Sequence, residues 1–448
     1  MRFKRVMLVN PPKVEQIGYF SAPIGLLYLA SYLKHKNKKI ELRVVDGTLL
    51  GEERVKREIL DFRPDLLGVT AMTCGRHSAL KVTRFSKKTL PSSCVVLGGV
   101  HPTLMWKQMM ENYNQIDFIC RGEGELTLNE LVQGKDLTGI DGLVWRKATG
   151  EIIKNKEREP VNNLDTLPFP AWEMVDPLKY PSRGEGVVNG IDLSRTSRFP
   201  VIFSRGCMGS CTFCSSWKVW KGYRSRSGKN VAREIAFLVR KYKAKHIYLS
   251  DDSFGGDKKA VIEFCQEILK RKIKVAIETN LRVDTIDEQI LGWMKRAGFY
   301  LLIYGVESGS PRMLKKVNKK IELRQIKNAF RLTQKVGIRT SALMMYGLPG
   351  ERQTDLLASD ALLKKINPAD IGTLGETWIF PGTVLYEQAK SQKLLNDKFW
   401  LGRRSYYIYR GGLDGDPVNW SMKAKDLFGY NKMKSLFAGF IIHFFKPR

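Results

Sequence analysis

The chain has 448 residues, enough for two or three domains that each bury a core. Apolar residues make up 43% and charged residues 27%, a globular composition that excludes a largely disordered chain. Seventy-five Lys and Arg against 45 Asp and Glu leave a net +30, a field that suits polyanions or anionic lipid unless it is only a solvated basic surface. The start, MRFKRVMLVNPP, has one short apolar run that stops at Pro11 and Pro12, which reads as a strand and not as a secretory signal. No apolar stretch approaches the ~20 residues that span a bilayer. Three of the seven cysteines fall close together, which suits a metal or redox site better than a disulfide framework.

Residues 3–10 read as a strand and residues 24–33 as a helix. Residues 41–46, 66–71, 94–97 and 116–120 are further strands. Helical segments at 53–62, 76–88 and 125–132 separate most of them. This alternation predicts an α/β, doubly wound, Rossmann-like parallel sheet over residues 1–140, with its binding site at the carboxyl ends of the strands. Residues 141–195 hold a hairpin about Thr149-Gly150 and a Pro-rich aromatic stretch, Leu167-Pro168-Phe169-Pro170-Ala171-Trp172, that reads as an ordered linker. A second alternation follows. Its strands are 200–204, 246–250, 275–278, 300–304, 339–345 and 372–378, and its helices 231–242, 258–271, 287–297, 323–336 and 354–366. Six such units over 196–385 predict a partial (β/α)6 barrel of the TIM type. Residues 386–448 form a C-terminal helical and aromatic extension. From Met433 onward it is apolar and flanked by Lys432, Lys434, Lys446 and Arg448, which suits a helix docked on the barrel or one lying in a membrane surface.

Ser204-Arg205-Gly206-Cys207-Met208-Gly209-Ser210-Cys211-Thr212-Phe213-Cys214 ends the first barrel strand. Three thiolates spaced C-x3-C-x2-C can hold three irons of a cubane and leave the fourth open to a ligand. Gly206 and Gly209 let the loop wrap closely. A structural zinc site needs four ligands, often as two C-x2-C pairs, and the sequence has no second pair. Cys74, Cys94, Cys120 and Cys265 are scattered and read as small apolar residues.

This loop, with the aromatic Phe213 before its last cysteine, resembles the radical S-adenosylmethionine superfamily. Over about residues 199–383 the resemblance extends to Leu249-Ser250-Asp251-Asp252-Ser253-Phe254, Glu278-Thr279-Asn280-Leu281-Arg282, Gly305-Val306-Glu307-Ser308-Gly309 and Met345-Tyr346-Gly347-Leu348-Pro349-Gly350-Glu351. It implies a 4Fe–4S cluster on Cys207, Cys211 and Cys214, with S-adenosylmethionine on the open iron as the source of a 5′-deoxyadenosyl radical. It also implies contacts to S-adenosylmethionine from Phe213, Asp251, Asp252, Glu278, Arg282, Glu307, Gly347 and Gly350. The carboxylates and Arg282 offer charge-assisted bonds, and the glycines allow close backbone approach. Taken singly, each also suits a cap or a turn.

Asn10-Pro11-Pro12, Pro23-Ile24-Gly25-Leu26, Val45-Asp46-Gly47, Val69-Thr70, Gly98-Gly99-Val100-His101-Pro102-Thr103 and Gly122-Glu123-Gly124-Glu125 look like the cobalamin-binding domain of one subgroup of that superfamily. The likeness implies cobalamin contacts from Asp46, Gly47, Thr70, Gly98, Gly99, Gly122 and Glu123. Domains that supply an axial histidine use D-x-H-x-x-G, whereas Gly47 and Thr48 follow Asp46 here. His101 reads as a structural residue of the Gly-Gly turn.

The resemblance implies a methyltransferase acting on an unactivated carbon of a lipid, isoprenoid or natural-product intermediate. An external electron donor of the flavodoxin or ferredoxin type would serve it, in the cytoplasm or at the inner face of the membrane. A cyclase, oxidoreductase or rearrangement enzyme of the same subgroup, and a non-catalytic cofactor-binding module, are the alternatives. Nucleic acid is not expected as a partner, because the N-terminal cysteines and C-terminal β-barrel of tRNA methylthiolating enzymes are not visible.

Overall fold

The computed structural model describes residues 3–12, 21–182, 184–404 and 406–408. The first unit contains β1 (Arg5–Asn10), α1 (Ile24–Lys36), β2 (Glu41–Asp46), α2 (Gly47–Leu50), α3 (Glu52–Phe62), β3 (Leu66–Thr70), α4 (Arg76–Thr89), β4 (Cys94–Gly98), α5 (Val100–Asn112), β5 (Phe118–Cys120) and α6 (Gly124–Gln133). The hairpin β6 (Leu143–Arg146) and β7 (Ile152–Lys154) extends the same sheet, whose order is β2-β1-β3-β4-β5-β6-β7. Strands β1 to β5 are parallel, and β6 and β7 run antiparallel at the edge. The strand order reverses at β1, so a crevice opens at the carboxyl ends around it. The apolar run in β1 does not alternate with polar residues because both of its faces are covered. Val6 and Leu8 enter one core, Met7 and Val9 the other. Helix α5 has no counterpart in the sequence reading. Its Pro102 and a non-helical Met105 interrupt the spacing that would have marked it.

A short hairpin, β8 (Val187–Val188) and β9 (Ile191–Asp192), precedes the barrel. Strand β10 (Arg198–Val201) starts it, and β11 (Ser204–Arg205) leaves it after a two-residue break. Next come α7 (Ser216–Trp220), β12 (Arg224–Ser225), α8 (Gly228–Tyr242), β13 (His246–Phe254), α9 (Lys258–Lys270), β14 (Ala276–Leu281), α10 (Glu288–Arg296) and β15 (Phe299–Glu307). The unit continues through α11 (Pro311–Lys316), α12 (Leu323–Lys335), β16 (Arg339–Tyr346), α13 (Gln353–Ile366) and β17 (Asp370–Glu376). The sheet order β10-β13-β14-β15-β16-β17 is parallel throughout, an open six-stranded barrel. Ser227, Asp257 and Asp287 start α8, α9 and α10 by accepting from an amide of the first turn.

Trp172 and Tyr180 of the connecting stretch are fully buried in a core that includes both Leu8 and the barrel's Phe199. After β18 (Trp378–Ile379), α14 (Val384–Ser391) and the turn Asp397–Leu401 pack back on the first unit, and β19 (Tyr407–Ile408) pairs with β18. Leu385, Tyr386 and Trp400 share a core with Met7 and Val9. The helix expected from Met433 lies outside the described residues. Among the described residues no helix is long and apolar enough to cross a membrane.

Candidate functional site

The ladder of β11 with β12 closes the loop 206–223 at its neck. Just beyond it Gly206 has φ +85°, and a Cβ there would lie 1.9 Å from the Gly222 carbonyl oxygen, so the stems can cross only at glycine. Cys207, Cys211 and Cys214 stand on this loop without a disulfide. The Gly209 amide donates to Cys207 Sγ at 3.3 Å and the Ser216 amide to Cys214 Sγ at 3.4 Å. Burial pushes the Cys214 thiol up to about 11, so the bare thiol is neutral and ligation by a metal would favour its thiolate. A Cβ on Gly209 would sit 3.5 Å from Cys207 Sγ, 3.7 Å from Cys211 Sγ and 2.8 Å from Arg282 Nη1. The glycine thus leaves a space bordered by two sulfurs and a guanidinium. Asp284 holds Arg282 through Nε at 2.9 Å and Nη2 at 2.8 Å, while its buried Nη1 has no acceptor among the described residues. An unmatched buried N–H is costly unless a ligand accepts it. Three thiols, a space kept by glycine and an unmatched donor fit a 4Fe–4S cluster.

Glu307 ends β15 at φ +68°, an uncommon conformation for a residue with a side chain. Its Oε1 accepts from Lys319 Nζ at 2.7 Å, and a Cβ on Gly305 would lie 2.8 Å from both atoms. Burial disfavours the Lys319 ammonium, but Glu307 and then Cys211 more than offset it and raise its pKa. Lys319 escapes sequence reasoning because Asn318-Lys319-Lys320 looks like surface charge. Gly347, at φ +71°, leaves open space where a Cβ would project, whereas Lys316 fills that position at Gly350. Phe213 is half-buried against Met313, Val317 and Leu348.

Two of the expected carboxylates have other work. Asp251 accepts from the Phe203 amide at 2.8 Å and the Ser204 hydroxyl at 2.5 Å, so it anchors the cluster-loop stem; Asp252, beside it, is exposed. Glu278 faces the barrel floor, where Arg198 Nε lies at 2.5 Å, Tyr300 Oη at 3.1 Å and His246 Nε2 at 3.2 Å. These partners take Glu278 out of the set expected at the barrel mouth. Strand β14 runs on to Leu281, which puts Glu278 in mid-strand.

A cavity of about 270 Å³ opens at the carboxyl ends of β1, β3, β4 and β5. Thr70, Gly98, Gly99, Gly122 and Glu123 line it, with Leu8, Leu29, Val69 and Leu97. Nothing lies within 4 Å of a Cβ placed on Gly25 or Gly122, so bare backbone borders free space. An apolar cavity edged by open backbone suits the nucleotide tail of a cobalamin. Ile202, Arg205 and Trp220 of the barrel unit complete the wall, contacts with no local signal in the sequence. Asp46 and Gly47 are not on it. Asp46 accepts from Asn10 Nδ2 and the Tyr180 hydroxyl, each at 2.7 Å, and a Cβ on Gly47 would strike Pro12 N at 2.6 Å. Neither borders the cavity, contrary to the position expected. His101 is buried away from the cavity against Thr73 and Trp400, and burial holds it down at about 3.

The family model of the radical SAM superfamily matches residues 201–363, and that of the B12 binding domain matches residues 13–132. Two folds and two sites of this kind define a radical enzyme that carries a second cofactor. A Pyrococcus horikoshii protein named an uncharacterized methyltransferase is 30% identical over 459 residues, covering 100% of this chain and 94% of that one. The anaerobic magnesium-protoporphyrin IX monomethyl ester cyclase of Rubrivivax gelatinosus is 32% identical over 357 residues, covering 77% of this chain and 62% of the cyclase. The fold is that of the cobalamin-dependent radical enzyme OxsB with aqua-cobalamin bound (TM-score 0.73, 21% identity, 88% of this chain and 62% of that one). It is also that of the radical methyltransferase TsrM from Kitasatospora setae (TM-score 0.70, 21% identity, 87% and 75%). The chain belongs to the cobalamin-dependent radical S-adenosylmethionine enzymes, and its cofactors are a 4Fe–4S cluster, S-adenosylmethionine and cobalamin.

Proposed function

We propose that the enzyme transfers a methyl group to an unactivated carbon of a small molecule with an apolar body. One observation carries this reading: Arg205 and Trp220, near the two stems of the cluster loop, also line the cavity of the cobalamin-binding unit. A substrate carbon held beside that segment is within reach of both cofactors. When bound, the cluster with S-adenosylmethionine supplies hydrogen abstraction and cobalamin supplies the methyl group.

The protein positions and shields. Cys207, Cys211 and Cys214 hold the cluster, and Arg282, Lys319 and Glu307 set the charge beside it. Gly347 and Phe213 border S-adenosylmethionine, and Thr70, Gly98, Gly99 and Gly122 border cobalamin. On β15 Leu302 and Tyr304 face the helices, so Leu301 and Ile303 face the barrel interior, half-exposed, as do Leu343 and Met345 of β16. Tyr248 and Asn280, joined at 2.6 Å, give that lumen a polar floor. An apolar wall over a polar floor supports a lipid, isoprenoid or natural-product intermediate as substrate. An external flavodoxin- or ferredoxin-type donor supplies the electron. Residues 433–448, apolar and Lys-flanked, would bring the enzyme to a membrane that holds such a substrate; equal liposome pelleting with and without them would remove that part.

The likeness to the Rubrivivax cyclase favours a second reading, ring formation or oxidation without methyl transfer. The two separate by product analysis of the anaerobic, cluster-loaded, cobalamin-loaded protein with S-adenosylmethionine and reductant. Methyl transfer requires S-adenosylhomocysteine, about one equivalent per cobalamin even before substrate is added. Release of 5′-deoxyadenosine with no S-adenosylhomocysteine would overturn methyl transfer and support the second reading.

A further inference from the structure

Glu123 stands between the cobalamin cavity and the neck of the cluster loop. It belongs to the Gly122-Glu123-Gly124 turn on the cavity wall, directly before α6, and its side chain is buried. Both of its oxygens are taken. Oε2 accepts from Arg205 Nη1 at 3.0 Å and Oε1 from Arg224 Nη2 at 2.5 Å. Those two arginines are direct partners in the β11–β12 ladder that closes the loop carrying the three cysteines.

A two-residue antiparallel ladder is marginal alone, and like charges directly opposite each other weaken it further. A single carboxylate spanning both guanidiniums turns that repulsion into a bridge, in a buried place where screening by solvent is weak. Neighbouring contacts strengthen the arrangement. Glu125 takes Arg205 Nη2 at 2.5 Å, the Trp220 carbonyl takes Arg224 Nη2 at 2.8 Å, and the Arg205 guanidinium lies 5.5 Å from the Tyr28 ring and 5.7 Å from the Trp220 ring. With the Val161 amide also donating to Oε2 at 3.2 Å, the Glu123 carboxylate is directed to protein donors while its backbone borders the cavity.

We infer that Glu123 is a positioning residue that ties occupancy of the cobalamin cavity to the order of the cluster loop through Arg205 and Arg224. A molecule seated against the Gly122–Gly124 backbone fixes the carboxylate, the carboxylate fixes both stems of the loop, and the loop holds its iron more tightly. This rests on the cofactors of the family and not on the transfer of a methyl group.

The test measures how fast a chelator strips iron from the reconstituted full-length protein, with and without hydroxocobalamin, alongside the hydroxocobalamin affinity. The wild type should lose iron severalfold more slowly with hydroxocobalamin bound. In Glu123→Gln, which keeps the shape but can bridge only weakly, that ratio should fall to one while hydroxocobalamin still binds. Arg224→Lys, which keeps the charge and loses the planar fork, should reduce the ratio in the same way and serves if Glu123→Gln takes up no cluster. A ratio of one in the wild type, or an unchanged ratio in both variants, overturns the proposal. So does loss of hydroxocobalamin binding in Glu123→Gln with normal iron retention, which would make Glu123 a direct ligand. S-adenosylhomocysteine formation is not the readout, so failure here leaves the methyl-transfer reading standing.

Discussion

The Lys319 ammonium is buried between the Glu307 carboxylate and Cys211, where its field reaches the cluster site with little screening. Lys319→Met keeps the bulk and removes the charge. It leaves Glu307 without a partner, and urea unfolding should show a loss of about 3 kcal/mol. The reduction potential of the cluster, followed by EPR during titration, should move to more negative values, and Lys319→Arg should restore it. An unchanged potential in Lys319→Met would remove this residue from the electrostatics of the cluster. Asp251 makes a separate prediction. Burial raises its carboxyl from 3.8 to about 7. Between those values the folded chain holds a proton that the unfolded chain has released, so stability falls as pH rises through the window. Asp251→Asn cannot titrate, so the difference between urea midpoints at pH 5 and pH 7.5 should shrink in that variant. The three cysteines were legible because their spacing is local. Lys319, Arg205 and Trp220 were not, because their roles depend on neighbours distant in the chain.

At the scale of elements, alternation of apolar runs gave most strands and helices of both sheets, because parallel strands covered on both faces are nearly continuous in Val, Leu and Ile. The failures have local causes. Helix α5 is interrupted at Met105, β13 leaves its ladder with β14 after Leu249 and rejoins it only at Phe254, and the end of β15 is polar at Glu307 although it stays paired with β16. Both departures shortened the expected strands. Glu278 lies below the mouth for the related reason that β14 continues beyond it to Leu281. The docking of residues 397–404 on α4 had no signal at all. Arg76, fully buried, donates from Nε to the Trp400 carbonyl and from Nη2 to the Gly402 carbonyl, each at 2.8 Å. Arg76→Met would strand those carbonyls, so it should cost about 3 kcal/mol and open residues 392–404 to limited proteolysis. A digestion pattern unchanged from wild type would show that apolar packing of Trp400 alone holds the segment.

The whole molecule is more closely joined than two alternating units and a linker would suggest. One core runs from Leu8 through Trp172 to Phe199, and the buried Glu123–Arg205–Arg224 group crosses the same boundary. With the two units sharing a core, the outer surface is where a reductant must arrive. That surface belongs to a chain of net charge +30, whose field favours an acidic donor protein. Association should therefore be steered, which raises on-rates by roughly 10- to 1000-fold at low salt. Raising ionic strength from about 0.01 to 0.15 M shortens the screening length from about 30 to 8 Å. Over that range the second-order rate of cluster reduction by an acidic flavodoxin, measured by anaerobic stopped flow, should drop about tenfold or more. Reduction by an uncharged photoreduced mediator should change little, because it has no charge for the field to act on. Equal salt dependence for the two reductants would mean that the excess of lysine and arginine lies away from the docking face, and that the basic surface serves something other than electron delivery.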